Sequence, residues 1–177
     1  APLDETADLE NYVPSYYIEG EKKYVAAEDI IVPPGANNTD YTVISAVKCS
    51  APVNVTVKAV LGSSADAYCS EDSLYVASSG TKDGAVYTSV TSFDISENGL
   101  VYKASGSVDG ELVSRYSMTE ADGKFRIACR AYNENGMMTT NIYTLDSSLS
   151  IISKSEGLLP GVIAGAVKFD GSYASIF

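Results

Sequence analysis

The chain has 177 residues, 45% of them hydrophobic, with 13 Tyr, 4 Phe and no Trp, which is enough to bury one sizeable core. A net charge of −11 excludes a nucleic-acid binder built on clustered Lys and Arg and disfavours an anionic membrane surface. The absence of His excludes Ser-His-Asp and Cys-His catalysis and His-based metal sites.

In chain order, residues 1–40 form an acidic, Tyr-containing arm with nine acids against Lys22 and Lys23. No long apolar period runs through it. A hairpin is expected at Glu19-Gly20-Glu21, with the arm lying solvated over the first strands after it. Tyr12, Tyr16 and Tyr17 stand out because no periodicity buries them. Strands are then expected at 41–47 and 53–61, with a turn at Cys49–Pro52 between them. A short strand at 67–70 leads into 74–77. Ser78 to Gly84 reads as a polar loop, followed by strands at 86–95 and 100–108 joined by Glu97-Asn98-Gly99, where Asn-Gly suggests a tight turn. Strands are expected at 113–118, 124–131, 140–145 and 150–154, with turns at Asp122-Gly123 and Asn133–Gly136. Two last strands, 162–169 and 172–177, flank a turn at Asp170-Gly171. No amphipathic helix interrupts the series.

The pattern repeats. Leu74 to Ala77 recurs 51 residues later as Phe125 to Ala128, and Gly110 recurs as Gly161 at the same offset. Gly62 stands 48 residues before Gly110, and Gly171 stands 48 after Gly123. A period of about fifty residues with several short strands points to an all-β propeller of four-stranded antiparallel blades, about three blades' worth per chain. The organisation expected is a half-blade at 41–62, blades at 66–108 and 113–158, and a half-blade at 162–177. The chain thus opens on an outer pair of strands and closes on an inner pair. Leu74, Val76, Phe125 and Ile127 should pack between neighbouring blades.

Several segments, in order, resemble the secreted bacterial β-propeller domain family, distantly related to WD-type repeats. They are Tyr12-Val13-Pro14-Ser15-Tyr16-Tyr17, Ala27-Glu28-Asp29-Ile30, Tyr41 to Ser45, Tyr68 to Ala77, Tyr116-Ser117-Met118 with Phe125 to Ala128, and Gly157-Leu158-Leu159-Pro160-Gly161. The resemblance spans about Tyr12 to Phe177. It implies a secreted or cell-surface, extracytoplasmic bacterial protein, and further blades past the equivalent of Phe177. It carries over no catalytic residues.

For chemistry, Asp66, Asp83, Asp109, Glu111 and Glu134 fall on loops that a propeller opens on one face. Loop acids ordinarily solvate a surface. A glycosidase pair would instead need two carboxyls roughly 5 to 9 Å apart. Asp122-Gly123 and Asp170-Gly171 are turn chemistry rather than calcium loops. No cofactor or metal is expected. Cys49, Cys69 and Cys129 fit no zinc spacing, and three free thiols are expected, with Cys69 and Cys129 as small apolar strand residues. The expected function is a non-enzymatic binding or scaffold module for a protein or glycan, the alternative being a carbohydrate-active enzyme using the loop carboxylates. The half-blades suggest a homodimer that completes a six-blade ring by pairing Val43–Val47 with Ser172–Phe177 of a partner.

Overall fold

The computed structural model describes residues 12–62 and 65–177, the side chains of 51–54 excepted. The acids at positions 4, 5, 8 and 10 of the leader lie outside the described residues. Among the described residues, sixteen strands form five sheets that follow one another in chain order.

The first sheet is the arm's hairpin, β1 (Ser15–Ile18) and β2 (Glu21–Tyr24). Its turn residues Glu19 and Gly20 have φ of 52° and 85°, the pair of positive angles a two-residue hairpin needs. The arm then does more than lie over the fold. Ile30–Ile31 forms β3 and adds in parallel to β5 (Ala51–Leu61), which pairs antiparallel with β4 (Tyr41–Lys48). Two residues are too few for any periodic signal, so this strand was invisible to pattern.

The third sheet has the order β6 (Asp66–Cys69), β7 (Ser73–Lys82), β8 (Ala85–Ser96), β9 (Gly99–Asp109). The expected loop at 78–82 is strand here, and only Asp83 and Gly84, with φ of 52° and 81°, make the turn. The buried polar residues of this ladder, Ser78, Thr88 and Ser89, are tied into hydrogen bonds. Ser89 donates to the Ser78 carbonyl, Thr88 donates to the Gly110 carbonyl, and the Ser79 and Thr88 hydroxyls lie 2.9 Å apart. The hairpin at 96–99 forms with a different turn from the one Asn-Gly suggests. Glu97 and Asn98 are its central residues, and Gly99, with φ of 91°, opens the next strand opposite Ser96. A Cβ on Gly99 would lie 1.7 Å from the Thr56 hydroxyl oxygen, so glycine is also required there by close approach of the neighbouring sheet.

The fourth sheet runs β10 (Glu111–Leu112), β12 (Lys124–Tyr132), β13 (Met138–Leu145), β14 (Ile151–Leu158), with β11 (Met118–Ala121) also on β12. The strand expected at 113–118 is mostly a turn, in which Ser117 N–H bonds the Ser114 carbonyl, and the strand proper starts at Met118. The fifth sheet is the pair β15 (Val167–Asp170) and β16 (Tyr173–Ile176). Here Asp170 closes the ladder opposite Tyr173, so Gly171 and Ser172 make the turn, one residue later than expected. Gly171, with φ of 54°, takes the first turn position, which a II′ turn reserves for glycine.

Alternation along each strand glues successive sheets together. On β7, Val76 and the half-buried Leu74 face back to Val60 and Ile44, while Tyr75 and Ala77 face forward to Phe125 and Ile127. On β12, Ala128 faces forward to Val167 and Ala164. Tyr16 and Val25 of the arm cover Val57 and Ala59 of β5. Phe125, Ile127 and Val76 are at most 2% exposed.

The periodic glycines share one hydrogen bond. Gly62, Gly110 and Gly161 donate N–H to the carbonyls of Asp40, Val86 and Met138 respectively. Each bond ties the end of an outer strand to the start of the strand before it. By this measure β4–β5 corresponds to β8–β9 and β13–β14, the outer pairs of their sheets, whereas β15–β16 corresponds to the inner pairs.

Candidate functional site

The connections after β9 and β14 and the turns after β7 and β12 lie at one end of the sheets, as the strand directions require. The five loop carboxylates distribute over this face. Asp66, at the start of β6, is 3.6 Å from the Arg115 guanidinium of the next connection. Glu111 is 4.0 Å from Arg130. Asp83 sits exposed at a turn tip, Glu134 is exposed in the Asn133–Met137 turn, and Asp109 is exposed at the end of β9. Asp66 and Glu111 are thus drawn to separate cations; Asp83 and Glu134 stand on separate turns.

Asp109 and Glu111 instead border a polar seam between the third and fourth sheets, which pattern reading missed because its members come from five strands. The Tyr143 ring is 1% exposed. Its hydroxyl donates to Glu156 and accepts from the Asn141 amide. Burial first, then the Glu156 and Asp109 charges, push the phenol well above its ordinary value. Lys154 lies 2.7 Å from Glu156 and holds that carboxyl below its usual range. Burial likewise pushes the Cys129 thiol up to about 12, with Asp109 and Glu111 adding to the shift. Arg130 donates to the Val113 carbonyl, yet its Nε and the hydroxyl of Thr140, the residue paired with it across the ladder, are buried without partners.

Arg115, which sequence pattern placed on a strand, lies in a connection. Cys69 is exposed rather than packed; Cys49 is exposed and Cys129 buried, all three as free thiols.

The loop face also presents apolar side chains. Tyr116, Tyr132 and Ile163 are 75%, 68% and 69% exposed, with Met137, Leu159 and Val162 beside them in sequence. A cleft of about 100 Å³ on this side is lined by Asn37, Asn38, Ser78, Ser79, Ser89 and Tyr87, well short of the roughly 300 Å³ of a small-molecule site. A larger groove, about 520 Å³, opens at the opposite end between the β4–β5 and β8–β9 hairpins. Lys48 and Glu97 are the charged residues that line it. Among the described residues, no group of three or more Cys, Asp or Glu is placed to hold a metal ion.

A family model described as Beta propeller domain matches residues 2–175. The chain belongs to this family: it is a β-propeller domain, as the stacked antiparallel sheets and the repeated glycine bond require. It is 39% identical over 74 residues to the uncharacterized protein MJ1554 of Methanocaldococcus jannaschii, a stretch that makes up 41% of this chain and 12% of that relative. The matched stretch is thus a small part of the relative's length. No solved structure matches.

Proposed function

We propose that this domain is an extracytoplasmic, non-enzymatic binding or scaffold module of a secreted or cell-surface protein, which engages a protein or glycan through the loop face. The observation that carries this reading is the exposure of Tyr116, Tyr132 and Ile163, the first and last on connections and Tyr132 at the end of β12, with acids that are spread rather than converged. Aromatic side chains on an open, rigid face suit recognition of a surface.

The enzymatic alternative has less support. The carboxyls of Asp146 and Glu156 are pushed down, the opposite of what a general acid needs. Hydrogen bonds from Ser148 and Ser150 do this for Asp146, and Lys154 for Glu156. The test is a glycan array read with the wild type and with Tyr116→Ser and Tyr132→Ser, run beside hydrolysis assays on the same glycans. Binding lost in the two variants, without hydrolysis, supports the module. Turnover abolished by Glu111→Gln would replace it with an enzyme. Protection of the domain from protease added to intact producing cells would refute the extracytoplasmic location.

A further inference from the structure

Two asparagines stand in the Asn-X-Ser/Thr pattern that N-glycosylating transferases read, Asn37-Asn38-Thr39 and Asn54-Val55-Thr56. The pattern does not choose between them; the fold does. A transferase must reach the amide and the hydroxyl two residues on, so it needs an exposed segment that no ladder holds. Asn54 lies inside β5, between Ala51 and Val55, both of which pair with β4. Its hydroxyl partner Thr56 is half-buried, and a Cβ on Gly99 of the next sheet would meet that oxygen at 1.7 Å. This hydroxyl is covered and its backbone is tied into a sheet.

Asn37-Asn38-Thr39 is the opposite case. Residues 32–40 join β3 to β4 outside any strand, and Asn37 and Thr39 are exposed. The Asn38 side chain is engaged locally. Its Oδ1 accepts the Asp40 N–H at 2.8 Å, the bond of an Asx turn. The Asn37 amide donates one N–H to the Thr81 carbonyl. An amide nitrogen carries two hydrogens, so one is left for substitution, and the substituted nitrogen keeps the bond that orients it. Beside this amide opens the cleft of about 100 Å³, where Asn38, Ser78, Ser89 and Tyr87 join it. That space is too small for a free ligand. It gives the first sugar of an attached chain a polar wall to lie on, and attachment supplies the effective concentration that so shallow a site lacks.

We propose that Asn37 is an N-glycosylation site. The inference rests on the extracytoplasmic reading above, because the sugar donor and its transferase act on that side of a membrane. In the reaction Asn37 Nδ2 bonds to C1 of an oligosaccharide carried on a lipid diphosphate. The C1–O bond breaks, the lipid diphosphate leaves, and Nδ2 gives up one proton.

The test uses the domain isolated from the cells that make it. Trypsin cuts after Lys23, Lys48 and Lys58 and so puts the two patterns on separate peptides, 24–48 and 49–58. Mass spectrometry should find sugar-sized increments on 24–48 and none on 49–58, and fragmentation should place them on Asn37. Asn37→Gln and Thr39→Ala should each bring the modified fraction of 24–48 to background, and Thr39→Ser should keep it. Both positions are exposed, so the circular dichroism spectra should not change. A bare 24–48 peptide, sugar on it that survives Asn37→Gln, or sugar on 49–58 alone overturns the assignment. Protease added to intact cells tells this failure from that of the location. A bare peptide from a domain the protease reaches leaves the extracytoplasmic reading standing, and a bare peptide from a protected domain removes both.

Discussion

The rings of Tyr75 and Phe125 stack with centroids 4.0 Å apart and planes 12° from parallel. They come from the second strands of consecutive sheets, Tyr75 facing forward and Phe125 facing back, so one aromatic pair spans the largest apolar layer of the molecule. Tyr68 flanks both rings, with its centroid 6.2 Å from Tyr75 and 6.3 Å from Phe125.

Phe125→Ala should therefore cost about 3–5 kcal/mol in denaturant unfolding, as a core truncation. A double-mutant cycle with Tyr75→Ala should show coupling of about 0.5–1.5 kcal/mol beyond additivity. A loss under about 1 kcal/mol for Phe125→Ala would contradict the packing of this layer.

The turn glycines should separate by what surrounds them. At Gly110, φ is 97° and an added Cβ would sit 2.4 Å from the Arg130 carbonyl oxygen; at Gly123, φ is 68° and nothing lies within 4 Å. Gly123→Ala should cost only the left-handed penalty, about 1 kcal/mol. Gly110→Ala adds a clash with backbone that cannot swing aside, and should cost about 3 kcal/mol or abolish folding. Equal melting temperatures for the two variants would count against the geometry at Gly110.

Stability should fall at alkaline pH. The Cys129 thiol is raised from 9.0 to about 12 and the Tyr75 phenol from 10.0 to about 12, burial being the first cause of each. Between the unfolded and folded values the native state holds protons that the unfolded chain has lost, so rising pH favours unfolding. Cys129 alone contributes about 1.4 kcal/mol per pH unit over that window. Cys129→Ala should flatten the decline above pH 9 by one proton's slope, measured by urea titrations at stepped pH. An unchanged slope would show that the thiol is not held neutral.

Thiol reactivity checks the same burial by another route. At mildly alkaline pH a chromogenic disulfide reagent should titrate Cys49 and Cys69, which are exposed, within minutes and spare Cys129. Denaturant should release the third thiol. Three fast thiols in the native protein would mean that the layer around Cys129 is open.

Most of the fold could be read from pattern because its signals are local. The Glu19-Gly20 and Asp122-Gly123 turns, the alternation of β7 and β12, and the recurrence of Gly110 at Gly161 each come from a few neighbouring residues. What stayed hidden depends on distant partners. Ser78 to Lys82 looks like loop because its residues are polar, and becomes strand because the β8 ladder pairs its backbone while Ser89, Thr88 and Leu112 bond its polar groups. Val113 looks like strand, yet its backbone N–H is taken by the Ala128 carbonyl from across the sheet. The loop carboxylates were visible as residue types. Their pairing with Arg115 and Arg130, and the Tyr143–Glu156 seam, required the third dimension.

Because each sheet touches its sequence neighbours through its own separate layer, resistance to opening should be graded along the chain. Twelve buried side chains fill the layer between the third and fourth sheets, against four, four and three in the others. Backbone amides of β8 and β12 should therefore exchange with deuterium last, and those of β1–β2 and β15–β16 first. Damage at either end of such a stack stays there. Shortening or replacing an end sheet erodes one thin layer and leaves the central two as a self-sufficient block to which further repeats can be added or removed.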